Sequence, residues 1–324
     1  MPAAPPPAHA PLVEVVRSGF REGVHYGAAV GITAGGEVGY RRGDVDAPVF
    51  PRSAAKPFQA LASLRAGAPV AGAQLAVAAG SHSGQDIHVD VVLRTLAASG
   101  LGPDDLRCPA DLPLDRRVRD DLLRAGGAAS RPLMNCSGKH AAMLAACVAS
   151  GWSTADYLDP DHPLQRLVRS TIEELCGEPV AHTAVDGCGA PQLAVSLAGL
   201  ARGLRALVLA PAGTPEAAVV AAMRDFPEYV AGDGRDDTRI MRALPGAVSK
   251  IGAEGVIALA APTGAAAAVK ISDGDGLSRA RTMAGLAALE ALGTDVAPVR
   301  DLMSSDVLGG GAPVGVVRPI ADRV

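Results

Sequence analysis

Of the 30 basic residues in this 324-residue chain only four are lysines: Lys56, Lys139, Lys250 and Lys270. Arginine serves solubility and ion pairs, but it stays charged where a buried lysine can give up its proton. The few lysines are therefore the first place to look for chemistry. Lys56 falls in RSAAKPFQAL (52–61), three residues after Ser53 and four after Arg52. On a helix the i, i+3 spacing puts Ser53 and Lys56 on one face. A serine hydroxyl is a weak nucleophile until a neighbour takes its proton, which a desolvated lysine can do. The plain alternative is a serine that caps a helix, followed by a surface lysine.

Lys250 lies in SKIGAEG (249–255), on an expected strand, with Gly252 two residues further on. The stretch is similar to the KTG strand of serine β-lactamases and glutaminases. There the lysine supplies charge beside the nucleophile, and the glycine lets substrate approach the strand edge. SHSG (81–84) offers an intermediate hydroxyl from Ser81 or Ser83, though it lacks the asparagine of an SDN box. Lys270, in AVKISDGDG, matches no catalytic motif and reads as a surface charge beside Asp273 and Asp275.

A third constellation joins NCSGKH (135–140) to DGCGAP (186–191). It holds Asn135, the single asparagine of the chain, next to Cys136, with Lys139 three residues later. Cys188 comes from a distant loop, two residues after Asp186. Two thiolates in glycine-flanked turns suit zinc, which prefers soft ligands. Against that, C-x-x-K is not a standard zinc spacing, and lysine binds a metal only after losing its proton. Cys147 and Cys176 lie in apolar helical patterns and read as core residues.

The elements that must position these residues follow from periodicity and turn signals. VEVVRSG, GAAVGITAGG and EVGYRRGD read as strands, the last two joined by a Gly-Gly turn. SAAKPFQALASLRAG, AGAQLAVAAGSHSG, VDVVLRTLAASGLG, the alanine-rich run after NCSGK and the amphipathic DPDHPLQRLVRSTIEELCG read as helices. VAHTAVDGCGAPQLAVSLAGLARGL runs from strand through a tight loop into a helix. VSKIGAEGVIALAA and AAAAVKISDG form a hairpin about PTG, followed by a helix over LSRARTMAGLAALEALG and a glycine-rich tail ending PVGVVRP. Strands at both ends of a helical middle predict one α/β sandwich whose terminal segments share a sheet.

Composition narrows the class. Aromatics are only 3% of the chain, so the core must be built from small aliphatic side chains. A net charge of −4 offers no basic surface for nucleic acid. No run reaches the roughly 18 apolar residues of a membrane span. The start, MPAAPPPAHAP, lacks a charged n-region and an apolar h-region, so residues 1–11 read as a flexible leader to a single domain over 12–324 in a cytoplasmic protein. Five cysteines, an odd number, do not suggest a disulfide framework.

Read together, PRSAAKPFQAL, SHSG, NCSGKHAAML, DGCGAP and SKIGAEG resemble the L-asparaginase II family of the Rhizobium etli type, from about Val13 to Pro319. The resemblance implies an αβα sandwich of the serine β-lactamase and glutaminase type, acting as a homodimer that hydrolyses L-asparagine to L-aspartate and ammonia. It maps the nucleophile and its base onto Ser53 and Lys56, and a second pair onto Ser81 and Lys250, with Ser83 close to the same position. It implies zinc held by Cys136, Lys139, Cys188 and a water, and it puts Arg52, His140 and Asp186 near the substrate. The rival readings are a glutaminase or broader serine amidase, since one methylene discriminates only modestly, and a non-catalytic, zinc-stabilised amino-acid-binding protein. Two Ser–Lys combinations speak against the last, because a binding module has no need of deprotonable lysines.

Overall fold

The computed structural model describes residues 7–321. Six residues of the expected leader lie outside that range, and the first strand, β1 (Ala10–Arg17), begins two residues before the expected boundary. β1 turns back into the long β2 (Phe20–Ile32), and β3 (Val38–Arg42) follows the glycine turn. After the two-residue β4 (Pro48–Val49) comes a 3-10 turn, Arg52–Ala55, that runs directly into α1 (Lys56–Arg65). The helical middle comprises α2 (Ala73–Ala78), α3 (Asp86–Ala98), α4 (Arg116–Arg124), α5 (Ser137–Ser150) and α6 (Pro163–Cys176). α6 has Pro163 in its first turn and ends at Gly177 in the left-handed conformation, as helix stop signals require.

The chain then forms the hairpin β5 (His182–Val185) and β6 (Pro191–Ser196), followed by α7 (Leu197–Val208), α8 (Pro215–Asp225), the short α9 (Pro227–Val230) and α10 (Asp236–Ala243). A meander of β7 (Val248–Gly252), β8 (Val256–Ala260) and β9 (Ala266–Ile271) leads to α11 (Arg281–Ala291), and the hairpin β10 (Ser305–Gly309) and β11 (Ala312–Pro319) completes the sheet.

The main sheet is antiparallel in the order β10-β11-β1-β2-β9-β8-β7, with β3 also paired to β2. β1 pairs with β11 through Val13 and Pro319, so the two ends of the chain share this sheet, as the sequence predicts. Period-2 alternation divides its central strands between two cores. Ala28, Val30, Ala258, Ala260, Ala266 and Ala268 face the large helical layer of α1–α3 and α5–α8. Ala29, Ile257, Leu259, Ala267, Val269 and Ile271 face α11 and the segment after it. The result is an αβα sandwich. With few aromatics its layers pack closely: a Cβ on Gly285 of α11 would lie 2.8 Å from Leu259 Cδ1.

Two sequence expectations change. The 182–208 stretch is not strand, loop and helix, because β6 intervenes; PQLAVS is buried at every position and carries no alternation to mark it as a strand. The 248–274 stretch is two hairpins rather than one. Glu254 and Gly255, both at positive φ, turn the chain inside an apolar run that conceals the break.

Candidate active site

The turn carrying Ser53 is held against the sheet by a missing side chain. A Cβ on Gly252, at the end of β7, would meet Pro51 O at 2.5 Å and Ala54 N at 3.3 Å. The glycine of the K-x-G pattern therefore admits the serine-bearing turn, where the resemblance had suggested an approach for substrate. Arg52 adopts φ 52°, a left-handed conformation that non-glycine residues occupy only at a cost. The Ser53 side chain caps neither the turn nor α1, so the plain helix-cap role has no bond to support it.

Because the 3-10 turn feeds straight into α1, Lys56 is the first residue of that helix and points inward, 1% exposed. Its ammonium donates to Gly80 O at 2.6 Å, Ser81 Oγ at 2.9 Å and Asn135 O at 3.2 Å, the full complement of three N–H groups. No hydrogen bond joins it to Ser53 among the described residues. Burial pushes its pKa down; the Cys136 and Cys188 sulfurs oppose that, and the Lys139 ammonium adds to it. The two hydroxyls of SHSG separate clearly. Ser81 faces Lys56, whereas Ser83 donates to Ala231 O at 2.6 Å and ties its loop to the segment after α9.

The thiol constellation lies beside this cage, and Asn135 bridges the two. Its carbonyl accepts from Lys56, and its Oδ1 accepts from Cys136 Sγ at 3.2 Å. Cys136 immediately precedes α5, and Cys188 sits in the tight turn between β5 and β6, with Gly189 at φ 86°. The sulfurs of Cys136 and Cys188 and a carboxylate oxygen of Asp186 all lie within 4.8 Å of one another. Lys139 Nζ is 3.1 Å from Cys188 Sγ. Cys188 is driven far below the usual thiol range by the Cys136 thiol, with help from Lys139 and His140, while Cys136 is pushed well up. Burial alone would lower Lys139, but the neighbouring Cys188 and Cys136 sulfurs hold its ammonium above the ordinary range. Two soft sulfurs and a carboxylate oxygen converge on one spot and form a donor set that fits a zinc-like cation, which Lys139 would join only on giving up its proton.

Arg52 Nε donates to Asp186 Oδ1 at 2.9 Å, joining the serine turn to the thiol loop. His140, buried in α5, has Nδ1 2.6 Å from the Tyr157 hydroxyl, and its Nε2 is buried without a partner.

Lys250, fully buried on β7, bonds to Asp237 Oδ2 at 3.3 Å and to Ile251 O at 2.7 Å. Asp237 also accepts from Ser249 Oγ at 2.6 Å and from the Ile251 backbone N–H at 3.0 Å. Among the described residues no hydrogen bond joins Ser81 to Lys250, the implied second pair: Ser81 is bonded to Lys56, and Lys250 to Asp237. Burial pushes Lys250 down to about 8, and Asp237 opposes the shift. Asp237 and Tyr157 are absent from the sequence-derived site, since neither stands in a motif. Lys270 is half-buried rather than a free surface charge, and it donates to Glu254 O. Cys147 and Cys176 are buried in the helical core, with thiols pushed up by burial to about 11 and 12.

Comparison with known families places this chain in one of them. It belongs to the L-asparaginase II family, which it matches over residues 13–319. Among solved structures it is similar to Mglu in its native form, at 14% identity and a TM-score of 0.47, covering 82% of this chain and 63% of that one. The chain thus spans less than two thirds of that protein's length. It is also similar to a β-lactamase from Mycobacterium bovis, at 18% identity and a TM-score of 0.44, covering 82% of this chain and 93% of that one. No curated protein matches significantly. Among the described residues no helix is long and apolar enough to cross a membrane.

Proposed function

We propose that the protein hydrolyses L-asparagine to L-aspartate and ammonia through an acyl-enzyme on Ser53. The observation that carries this reading is the cage around Lys56: a buried lysine one helical turn from an uncommitted serine, bonded to a second hydroxyl at 2.9 Å. Burial makes the neutral amine accessible, so Lys56 can take the Ser53 proton as Oγ attacks the side-chain amide carbon. Backbone N–H groups of the serine turn are the natural donors to the oxyanion. The C–N bond then breaks, and the proton passes from Lys56 through Ser81 to the departing ammonia. A water attacks the ester, its proton returns to Ser53 along the same groups, and aspartate leaves. Lys250, kept beside Asp237, contributes positive charge to the site.

An ion pair between Arg52 and Asp186 suits an amino-acid substrate, because a zwitterion can exchange both partners at once. Its carboxylate replaces Asp186 on Arg52, and its ammonium replaces Arg52 on Asp186. Zinc, in this reading, is held by Cys136, Cys188 and Lys139, with Asp186 beside them. Bound there it would draw these groups into one rigid, deprotonated set and supply fixed positive charge. The homodimer implied by the family remains part of the proposal.

The test is ammonia release from L-asparagine, L-glutamine and a chromogenic cephalosporin by the purified protein and by Ser53→Ala, with mass spectrometry of a quenched reaction. Asparagine turnover and an adduct on the Ser53 peptide are expected. Turnover retained by Ser53→Ala, or amino-acid binding with no ammonia from any substrate, overturns the reading.

A further inference from the structure

The buried contact between Tyr157 and His140 can be solved by counting hydrogens. Tyr157 is 0% exposed, so its hydroxyl has no access to solvent. That hydroxyl has one proton to give and must find an acceptor for it. The backbone N–H of Arg107 already donates to the hydroxyl oxygen at 3.1 Å. The remaining neighbour is His140 Nδ1, at 2.6 Å. If Nδ1 carried a hydrogen, as it does in one neutral tautomer and in the imidazolium, the oxygen would accept twice and its own proton would be stranded in the core. The satisfied arrangement has the tyrosine donating to a bare Nδ1, which leaves the ring hydrogen on Nε2.

Nε2 is the atom that remains. It is buried, and among the described residues no protein group makes a well-formed hydrogen bond with it, although the Cys188 sulfur is close enough to interact with the ring. It belongs to the residue next to Lys139, on the side of α5 that meets Cys188, whose thiolate His140 helps to stabilise. A buried N–H with no well-placed acceptor is unfavourable, so such a group needs a reason to persist.

We propose that Tyr157 is a positioning residue that locks His140 in its Nε2–H tautomer, making the imidazole a fixed hydrogen-bond donor into the site and excluding it from the metal's ligands. The inference rests on the amidohydrolase reading only for what the donor meets: an acceptor atom of the bound amino-acid amide. The tautomer itself is independent of that reading. The arrangement resembles the common device by which one ring nitrogen's partner determines what the other can do.

The experiment uses the full chain labelled with 15N-histidine, with two-bond 1H–15N spectra recorded before and after zinc is added. His140 is identified by its loss in His140→Gln, or by its NOE to the Tyr157 ring, which sits edge-on at 5.7 Å. The expected spectrum has a pyridine-type Nδ1 and a pyrrole-type Nε2, unchanged by zinc. An Nδ1–H pattern, or an Nε2 that loses its proton when zinc is added, overturns the proposal. In Tyr157→Phe the single-tautomer pattern should be lost, and kcat for asparagine should fall about tenfold with zinc content unchanged, the scale of one hydrogen bond made in the transition state. Retention of the wild-type pattern in Tyr157→Phe also overturns it. If the protein proves not to hydrolyse asparagine, the proposed function fails while the spectra still decide the tautomer.

Discussion

Ser81 Oγ accepts a hydrogen bond from Lys56 Nζ at 2.9 Å, while Ser83, two residues away, turns its hydroxyl to Ala231 O. The two serines of one short motif thus have separate duties. Ser81→Ala should remove the proposed proton relay and lower kcat, and it also leaves a buried Lys56 N–H short of a partner, at some cost in stability. Ser83→Ala should cost stability alone: its loss leaves the Ala231 carbonyl without a donor, at about 1–3 kcal/mol, with kcat close to wild type. Thermal melts and turnover on the same two variants check the assignment, and a larger kcat loss in Ser83→Ala would reverse it.

Ser53 makes no capping bond, so replacing it should be nearly free of structural consequence. Ser53→Ala is expected to lose activity by several orders of magnitude while its stability stays within roughly 0.5 kcal/mol of wild type. A variant that melts much lower but keeps its turnover would return Ser53 to a structural role.

Much of the candidate site is legible in the sequence, because it is assembled from residue types the chain uses sparingly. Three of the four lysines are buried, and each stands in one of the motifs singled out. The thiols were readable for a similar reason: glycine-flanked Cys136 and Cys188 come together, whereas Cys147 and Cys176 in apolar helical runs do not. What stayed hidden were partners with no local signature. Asp237 sits in the polar run GDGRDDTR, and nothing in its spacing separates it from a solvated acid. Tyr157 lies between helices, in a stretch with no period. The strand β6 and the turn at Glu254 were obscured in the same way, by burial on every side that erases alternation.

Lys250 offers a pH test. Its pKa is pushed down to about 8 by burial, and Asp237 works against that shift. If Lys250 acts as the ammonium, kcat/KM should fall as pH rises through about 8. Removing the Asp237 carboxylate takes away what favours the charged form, so in Asp237→Asn the alkaline limb should move to lower pH. Lys250→Arg stays charged throughout, and whatever activity it retains should lack that limb. A limb that moves to higher pH in Asp237→Asn would mean that another group titrates.

The converging sulfurs make metal content measurable in its own right. Purified protein should carry close to one zinc per chain, lost in Cys136→Ser and Cys188→Ser and kept in Cys147→Ala. Lys139→Arg should weaken binding, because a guanidinium cannot serve as a ligand. Elemental analysis reads all four, and full zinc in Cys188→Ser would remove the thiol pair from the metal site.

The last prediction concerns the glycine that lets the serine turn meet the sheet. A methyl at position 252 would lie 2.5 Å from Pro51 O and 3.3 Å from Ala54 N, both backbone atoms that cannot swing aside. The turn must therefore move as a unit, and Ser53 moves with it, relative to a lysine whose three hydrogen bonds hold it in place. Gly252→Ala should cost about 1–3 kcal/mol of stability, as overpacking does. Its kcat loss should be larger than that destabilisation explains, because a displacement of about 1 Å at the nucleophile can cost on the order of a hundredfold. Gly276→Ala serves as the control, since a Cβ there meets nothing within 4 Å. Melting curves and kcat on the pair separate the two effects. If Gly252→Ala is destabilised but its kcat at a temperature where it is folded matches wild type, the turn's position on β7 does not govern the nucleophile.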